Sequence, residues 1–261
     1  MSDLLGRRAL VCGGSQGIGR ACAEALAWHG ATVVLLARDA ARLQAARAGL
    51  PCHPDTAPEH ECLTADFGDP PGVRAVVDAF LAARGPVHVL VNNTGGPPGG
   101  PLVEAAPEQF THAFASHLLC NHLLSQAVIP GMRDAGYGRI INVVSTSVRR
   151  PIKGLGVSNT VRGAVASWAK TLSEEVARLG ITVNNVLPGA TRTARLESVV
   201  AARARASGRG REAIEAELLS EIPMGRFGEA AEVAVAVAFL ASPAAGYITG
   251  VSLAVDGGRT A

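Results

Sequence analysis

The run Cys12-Gly13-Gly14-Ser15-Gln16-Gly17-Ile18-Gly19 has the composition needed to hold phosphate groups against bare backbone. An apolar segment at 9–12 leads into it, and an alanine-rich helical stretch at 18–29 leaves it. Glycines permit a tight turn and a close approach of the chain to a pyrophosphate. The first turn of the helix then presents free N–H groups and the positive end of its dipole. Glycine spacing alone is a weak signal, and a plain tight turn would satisfy it. Placed between a strand and a helix, it predicts a dinucleotide seat made by Gly13, Ser15, Gln16, Gly17, Ile18 and Gly19.

A second group of residues bears on which dinucleotide. An acidic residue about twenty positions further on would accept hydrogen bonds from the adenosine ribose and select NAD. Here the second strand runs into Leu36-Ala37-Arg38-Asp39, so a guanidinium stands at that place. Arg38 can pair with a 2′-phosphate, and Ser15 can add a hydroxyl donor. Asp39 either competes for the ribose or caps the following helix. The balance favours NADP(H), with NAD(H) as the alternative.

These residues need elements to carry them. Short β-branched or apolar runs at 9–12, 32–37, 63–65, 87–91, 139–144, 182–187 and 251–255 alternate with helical stretches at 18–29, 40–48, 71–84, 107–135 and 157–179. Such alternation implies parallel βαβ units with right-handed crossovers. Strands this uniformly apolar are covered on both faces. The expected fold is α/β: a Rossmann-type, doubly wound three-layer sandwich with a seven-stranded parallel sheet, one domain spanning 1–261. A Gly/Pro loop at 95–101 should wall the ligand site, its prolines making it stiff.

Composition narrows the partners. The chain has 261 residues, is 48% hydrophobic and 18% charged, and carries a net charge of +2. That balance implies no nucleic-acid partner. No apolar run approaches the about 20 residues needed to cross a bilayer, so no membrane is expected. The segment Met1-Ser2-Asp3-Leu4-Leu5-Gly6 has no secretion-signal pattern. Five cysteines, an odd number without CxxC spacing, suit a reducing cytoplasm. Cys52-His53 and His60-Glu61-Cys62 are metal-ligand types flanking a Pro-rich loop, but their spacing fits no zinc pattern; a surface loop and no metal are expected.

The Gly-xxx-Gly-x-Gly spacing, together with Asn92-Asn93-Thr94-Gly95, resembles the short-chain dehydrogenase/reductase family. The resemblance runs over essentially the whole chain. It implies an adenine-binding role for Asp66, cofactor contacts at Asn92 and Gly95, and a nicotinamide-side turn at Pro188-Gly189 with Thr193 at the carboxamide position. Ile222-Pro223-Met224-Gly225-Arg226-Phe227-Gly228 and Tyr247-Ile248-Thr249-Gly250 with Val255-Asp256-Gly257-Gly258 are similar to the 3-oxoacyl-carrier-protein reductase branch. A homodimer or homotetramer is implied as well, associating through 107–135, 157–179 and the C-terminal strand.

The resemblance also implies a catalytic Ser, Tyr and Lys with a helix Asn, and here the chain departs. Ser145 matches the Ser, but Ser158 stands where the Tyr is expected, Arg162 where the Lys is expected, and His117 at the helix Asn. Tyr137 and Tyr247, the only tyrosines, belong to other segments. A phenol of pKa about 10 can be tuned by a nearby cation, whereas a serine hydroxyl is a weaker and shorter acid. Arg162 stays cationic; it can bond a ribose, a carboxylate or a phosphate. His117 is expected to titrate near neutrality and pass a proton through water, or else to be a packed helix histidine. Ser158 either joins that relay or caps its helix.

Three functions remain open: an NADP(H)-dependent oxidoreductase on a carbonyl or alcohol with a rebuilt proton apparatus, a non-redox isomerase, dehydratase or cyclase on the same scaffold, and a silent partner subunit. The lid between 188 and 225 carries Arg192, Arg195, Arg203, Arg205, Arg209 and Arg211. A small-molecule substrate such as an acyl thioester would suit it. A solvated helix with Glu197, Glu212, Glu215 and Glu217 explains it equally well.

Overall fold

Alternate side chains of the first strand, β1 (Arg8–Cys12), divide between two apolar layers: Ala9 and Val11 enter one, Leu10 and Cys12 the other. β2 (Thr32–Ala37) and β4 (Val89–Asn92) split the same way. Successive strand residues point to opposite faces, so a strand apolar at every position must be covered twice. The computed structural model describes residues 3–53 and 59–261. Met1, Ser2 and the 54–58 centre of the Pro-rich loop lie outside the described residues.

The remaining strands are β3 (Glu61–Thr64), β5 (Gly138–Val143), β6 (Ile181–Pro188) and β7 (Ser252–Val255). They form a seven-stranded sheet in the order β3-β2-β1-β4-β5-β6-β7, parallel at every pairing. The doubly wound three-layer fold expected from the sequence is the one observed. One layer packs α1 (Gly17–Trp28), α2 (Ala40–Ala48) and α9 (Ala230–Ala241) on the sheet; the other packs α3 (Pro70–Arg84), α5 (Cys120–Asp134) and α6 (Gly156–Val176). The chain runs outward from β1 to β3 and then returns to β4 beside β1. That reversal opens a crevice at the carboxyl ends of β1 and β4, where such sheets take their ligands.

Three elements differ from expectation. The helix expected at 107–135 is α4 (Pro107–Phe114), a π-helical stretch (Ala115–Leu119), then α5. Ser116 Oγ donates to the His112 carbonyl at 2.9 Å, a back-bond that bends helices, and the wider turn carries His117 inward. β3 starts at Glu61 because Val34 pairs with Glu61 and Leu35 with Cys62. Of the five residues considered as metal ligands, three are engaged elsewhere: Val33 N–H donates to His60 Nδ1, Glu61 pairs with Arg84, and Cys62 Sγ donates to the Leu43 carbonyl; Cys52 is an exposed free cysteine. The lid, finally, is two helices, α7 (Ala194–Ser207) and α8 (Arg211–Ser220), around a small core of Val200, Ile214, Leu218, Ile222 and Phe227. Among the described residues, no helix is long and apolar enough to cross a membrane.

Candidate active site

The glycine turn is shaped by what lies inside it. Gly13 has φ +59°, and a Cβ there would fall 2.6 Å from the Asn93 carboxamide nitrogen; one on Gly19 would fall 2.2 Å from the Gly13 carbonyl oxygen. Asn93 Nδ2 in turn donates to the Cys12 carbonyl at 3.2 Å. One side chain from the end of β4 thus braces the turn after β1. The sequence reading passed over Asn93 in favour of its neighbour, and the only clue was its adjacency to the Asn-Thr-Gly run. α1 begins with no capping side chain and no acidic residue in its first turn, so its leading N–H groups are free for an anion.

Asn92 requires a correction. It is 2% exposed, faces away from the crevice and belongs to a ladder across the sheet. Asn92, Asn142 and Asn185 stand in register on β4, β5 and β6. Asn92 Nδ2 donates to Asn142 Oδ1 at 2.9 Å, Asn142 Nδ2 to Asn185 Oδ1 at 3.0 Å, and Asn185 Nδ2 to Ser252 Oγ at 3.2 Å. The ladder partners the Asn92 amide nitrogen, while its Oδ1 is buried without a hydrogen-bond partner among the described residues.

At the far end of the crevice, Arg38 Nη1 lies 3.7 Å from Asp66 Oδ2, both side chains largely exposed. Asp66 Oδ1 also accepts from the Gly68 N–H at 2.9 Å. Asp39 caps α2 by accepting from the Arg42 N–H, which leaves Arg38 as the charged group at the tip of β2. Arg42, which the sequence reading did not single out, reaches back to Gln16 Oε1 at 3.1 Å.

A cavity of about 360 Å³ continues from the glycine turn. Gly13, Ser15, Gln16, Gly17 and Ile18 line one end, and Ser145, Ser158 and Arg162 the other, with Gly95, Pro188, Gly189 and Thr193 between them. Thr193 caps α7, accepting from the Leu196 N–H at 3.4 Å and donating to the Thr191 carbonyl at 3.2 Å. Its methyl comes within 3.5 Å of where a Gly17 Cβ would stand, so the lid helix starts against the turn. Gly189 N–H donates to the Val255 carbonyl, and a Cβ at Gly189 would meet Asp256 at 2.8 Å.

Ser145 Oγ accepts from the Ser147 N–H at 3.1 Å and opens on the cavity. Ser158 is buried in the first turn of α6; the capping position belongs to Leu155, so Ser158 is not a cap. Arg162 follows one turn later on the same face, its Nη1 donating to the Val143 carbonyl at 2.8 Å. Enclosure by protein, with Arg195 nearby, pulls its pKa down to about 10. It is still a cation at neutral pH.

His117 corrects a second expectation. It is 3% exposed and does not line the cavity. Its Nδ1 is 2.6 Å from Thr94 Oγ1, and burial, reinforced by Arg162 and Arg195, depresses its pKa to about 2. It is a neutral imidazole that does not titrate near neutrality. Neither tyrosine replaces it: Tyr137 is buried and donates to the Ala241 carbonyl, and Tyr247 is fully exposed. The lining contains no Asp, Glu, His, Lys, Cys or Tyr.

The family profile described as enoyl-(acyl carrier protein) reductase matches residues 13–260. The 3-oxoacyl-[acyl-carrier-protein] reductase of Vibrio cholerae is 34% identical over 257 residues, covering 98% of this chain and 98% of its own. This chain belongs to the short-chain dehydrogenase/reductase family. Among solved members, L-sorbose reductase from Gluconobacter frateurii, complexed with NADPH and L-sorbose, superposes with a TM-score of 0.90 at 30% identity, over 100% of this chain and 99% of that one. The 3-ketoacyl-(acyl-carrier-protein) reductase of Brucella melitensis, complexed with NADH, gives 0.85 at 31% identity, over 99% and 100%. The matches run over almost the whole of both chains, and the chain sits within a family of oxidoreductases.

Proposed function

We propose that this chain is an NADP(H)-dependent oxidoreductase that acts on a carbonyl or alcohol through an atypical site. The observation carrying this reading is the single cavity that joins the glycine turn to Ser145, Ser158 and Arg162. The Gly13–Gly19 cradle, which added Cβ atoms would fill, and the uncapped start of α1 fit the cofactor's pyrophosphate. Arg38 would hold the 2′-phosphate beside Asp66 at the adenine; NAD(H) would leave Arg38 without that partner. The NADPH and NADH bound by solved relatives are consistent with either form. Pro188, Gly189, Thr193 and Gly95 would border the nicotinamide, and Arg162 its ribose.

The bound nicotinamide supplies or accepts the hydride. Ser145 would hydrogen-bond the substrate oxygen, with Ser158 beside it. Arg162 would stabilise negative charge developing there, since a fixed guanidinium in an enclosed site acts strongly. His117 would orient Thr94 rather than transfer a proton. Because no lining side chain exchanges protons near neutral pH, water in the cavity would be the proton source. Ser158 and Arg162 at the places where the family's Tyr and Lys are expected favour a second reading, a non-redox isomerase, dehydratase or cyclase using the pocket without net oxidation of the cofactor.

The exposed apolar residues Val235 and Phe239 on α9, with Leu253 on the edge strand β7, support a homodimer or homotetramer. Five free cysteines support a reducing compartment such as the cytoplasm. Incubation with NADPH and a panel of ketones, 3-ketoacyl thioesters and imines tests the proposal. Substrate-dependent loss of reduced-nicotinamide absorbance is expected. Turnover without that loss selects the second reading, and absence of NADPH binding removes both.

A further inference from the structure

Among the described residues, four arginines line the cavity and no carboxylate does. Two of them are accounted for. Arg259 is paired with Glu221, and Arg203 donates to the Lys153 carbonyl near the rim. Three lid arginines outside the cavity are paired as well: Arg192 with Glu229, Arg209 with Glu217, Arg211 with Glu197. Like Arg203, Arg162 and Arg195 have no ion pair to a carboxylate among the described residues, but Arg203 interacts electrostatically with Glu217 whereas these two interact with each other.

Arg195, the second residue of α7, lays its guanidinium on the loop after β4. Its Nη2 donates to the Pro97 carbonyl at 2.7 Å, and a Cβ on Gly96 would come within 3.2 Å of that nitrogen. Each guanidinium thus spends one hydrogen bond on a backbone carbonyl and keeps other N–H groups for the cavity. The two interact electrostatically, and burial lowers the pKa of both. Arg162 is half-buried and Arg195 more exposed, at the same cavity, and two like charges facing one cavity repel each other unless an anion lies between them.

We infer that the substrate carries an anionic group, in the first instance a carboxylate, that Arg195 binds inside the cavity with Arg162 supplying a second positive charge. The inference rests on the oxidoreductase reading for the word substrate and deepens it. Arg162 is one helical turn from Ser158 and bonded two residues before Ser145, so the anion sits close to the reacting carbon. A small keto acid or hydroxy acid has that shape. An acyl thioester does not, because its phosphates lie at the far end of a long pantetheine arm. A guanidinium fork accepts a carboxylate, a sulfonate or a phosphate in the same bidentate manner, so the test must separate them.

Calorimetric titration of the full chain with benzoate, benzenesulfonate and phenyl phosphate, each against neutral methyl benzoate, is the test, run with and without saturating NADPH. At least one anion should bind tenfold or more tightly than the ester, and the winning arm names the group. Arg195→Gln should weaken that anion at least tenfold and leave the ester within twofold, while Arg195→Lys keeps the preference for the anion. Equal binding of anions and ester, no anion binding at all, or an unchanged preference in Arg195→Gln overturns the inference. Competition between NADPH and the anion also overturns it, by assigning Arg195 to the cofactor's phosphates. Failure of NADPH to bind, with the anion preference intact, instead overturns the oxidoreductase reading.

Discussion

Arg162 and Val143 are joined by a 2.8 Å hydrogen bond from the guanidinium to the carbonyl, tying α6 to the end of β5 just ahead of Ser145. The bond holds one edge of the guanidinium and turns the rest of it toward the cavity. Arg162→Ala should therefore reduce kcat/KM on a substrate found by the carbonyl panel by on the order of 10². Arg162→Lys, which restores charge without the planar fork, should recover part of the loss. An alanine variant within twofold of the parent in steady-state kinetics would remove Arg162 from the reaction.

Gly13→Ala and Gly19→Ala should each weaken NADPH binding more than tenfold in a fluorescence titration. The new methyl group would collide with Asn93 or with the Gly13 carbonyl, and overpacking of this kind costs about 1–3 kcal/mol. Gly163→Ala is the control: it lies within α6 with nothing inside 4 Å of its Cβ position. It should stabilise the protein by about 1 kcal/mol in denaturant melts and leave NADPH affinity unchanged.

Arg38→Ala should raise the dissociation constant for NADPH at least tenfold while that for NADH moves less than threefold. A ratio of the two constants that does not change would mean that Arg38 contacts no 2′-phosphate.

The depressed pKa of His117 carries a stability signature. Its folded value, about 2, lies below the ordinary 6.5, so as pH falls through 6.5 the unfolded chain binds a proton that the native chain does not. Its contribution is complete above that pH and declines below it, by about 1.4 kcal/mol per pH unit. Chemical denaturation from pH 7 to pH 4.5 should show a shallower decline in His117→Asn than in the parent. The pH–rate profile near neutrality should keep its shape, and loss of a limb there in His117→Asn would restore His117 as a proton carrier.

The sheet was legible because each strand is apolar at nearly every position, and the glycine turn because strand and helix flank it. Arg38 and Asp39 could be assigned their separate tasks only once the structure showed the Asp39 carboxylate on the Arg42 N–H. Other features depend on contacts distant in sequence. His117 looked titratable because periodicity cannot report burial beside Thr94, and the π turn that carries it inward has no compositional mark. Asn92 and Asn93 are identical as letters, yet alternation sends one into the sheet and the other to the cofactor turn. Arg195 stood among six lid arginines, and what sets it apart is its bond to Pro97 and its place in the cavity beside Arg162.

Asn142→Ala should destabilise the fold by about 3 kcal/mol, since it strands the Asn92 donor and the Asn185 acceptor in the interior. A loss under 1 kcal/mol in urea titration would show that water replaces the missing amide.

The ladder has a direction. Asn92, Asn142 and Asn185 all donate the same way, from β4 toward β7, so no single amide can turn over without reversing its neighbours. Asn93 follows Asn92 at the brace of the glycine turn, and Val143 follows Asn142 as the anchor of Arg162. The two ends of the cavity floor are therefore latched to one another and cannot spread apart. The lid side is held differently: Thr193, at the start of α7, meets the glycine turn by its methyl near Gly17 rather than through the sheet.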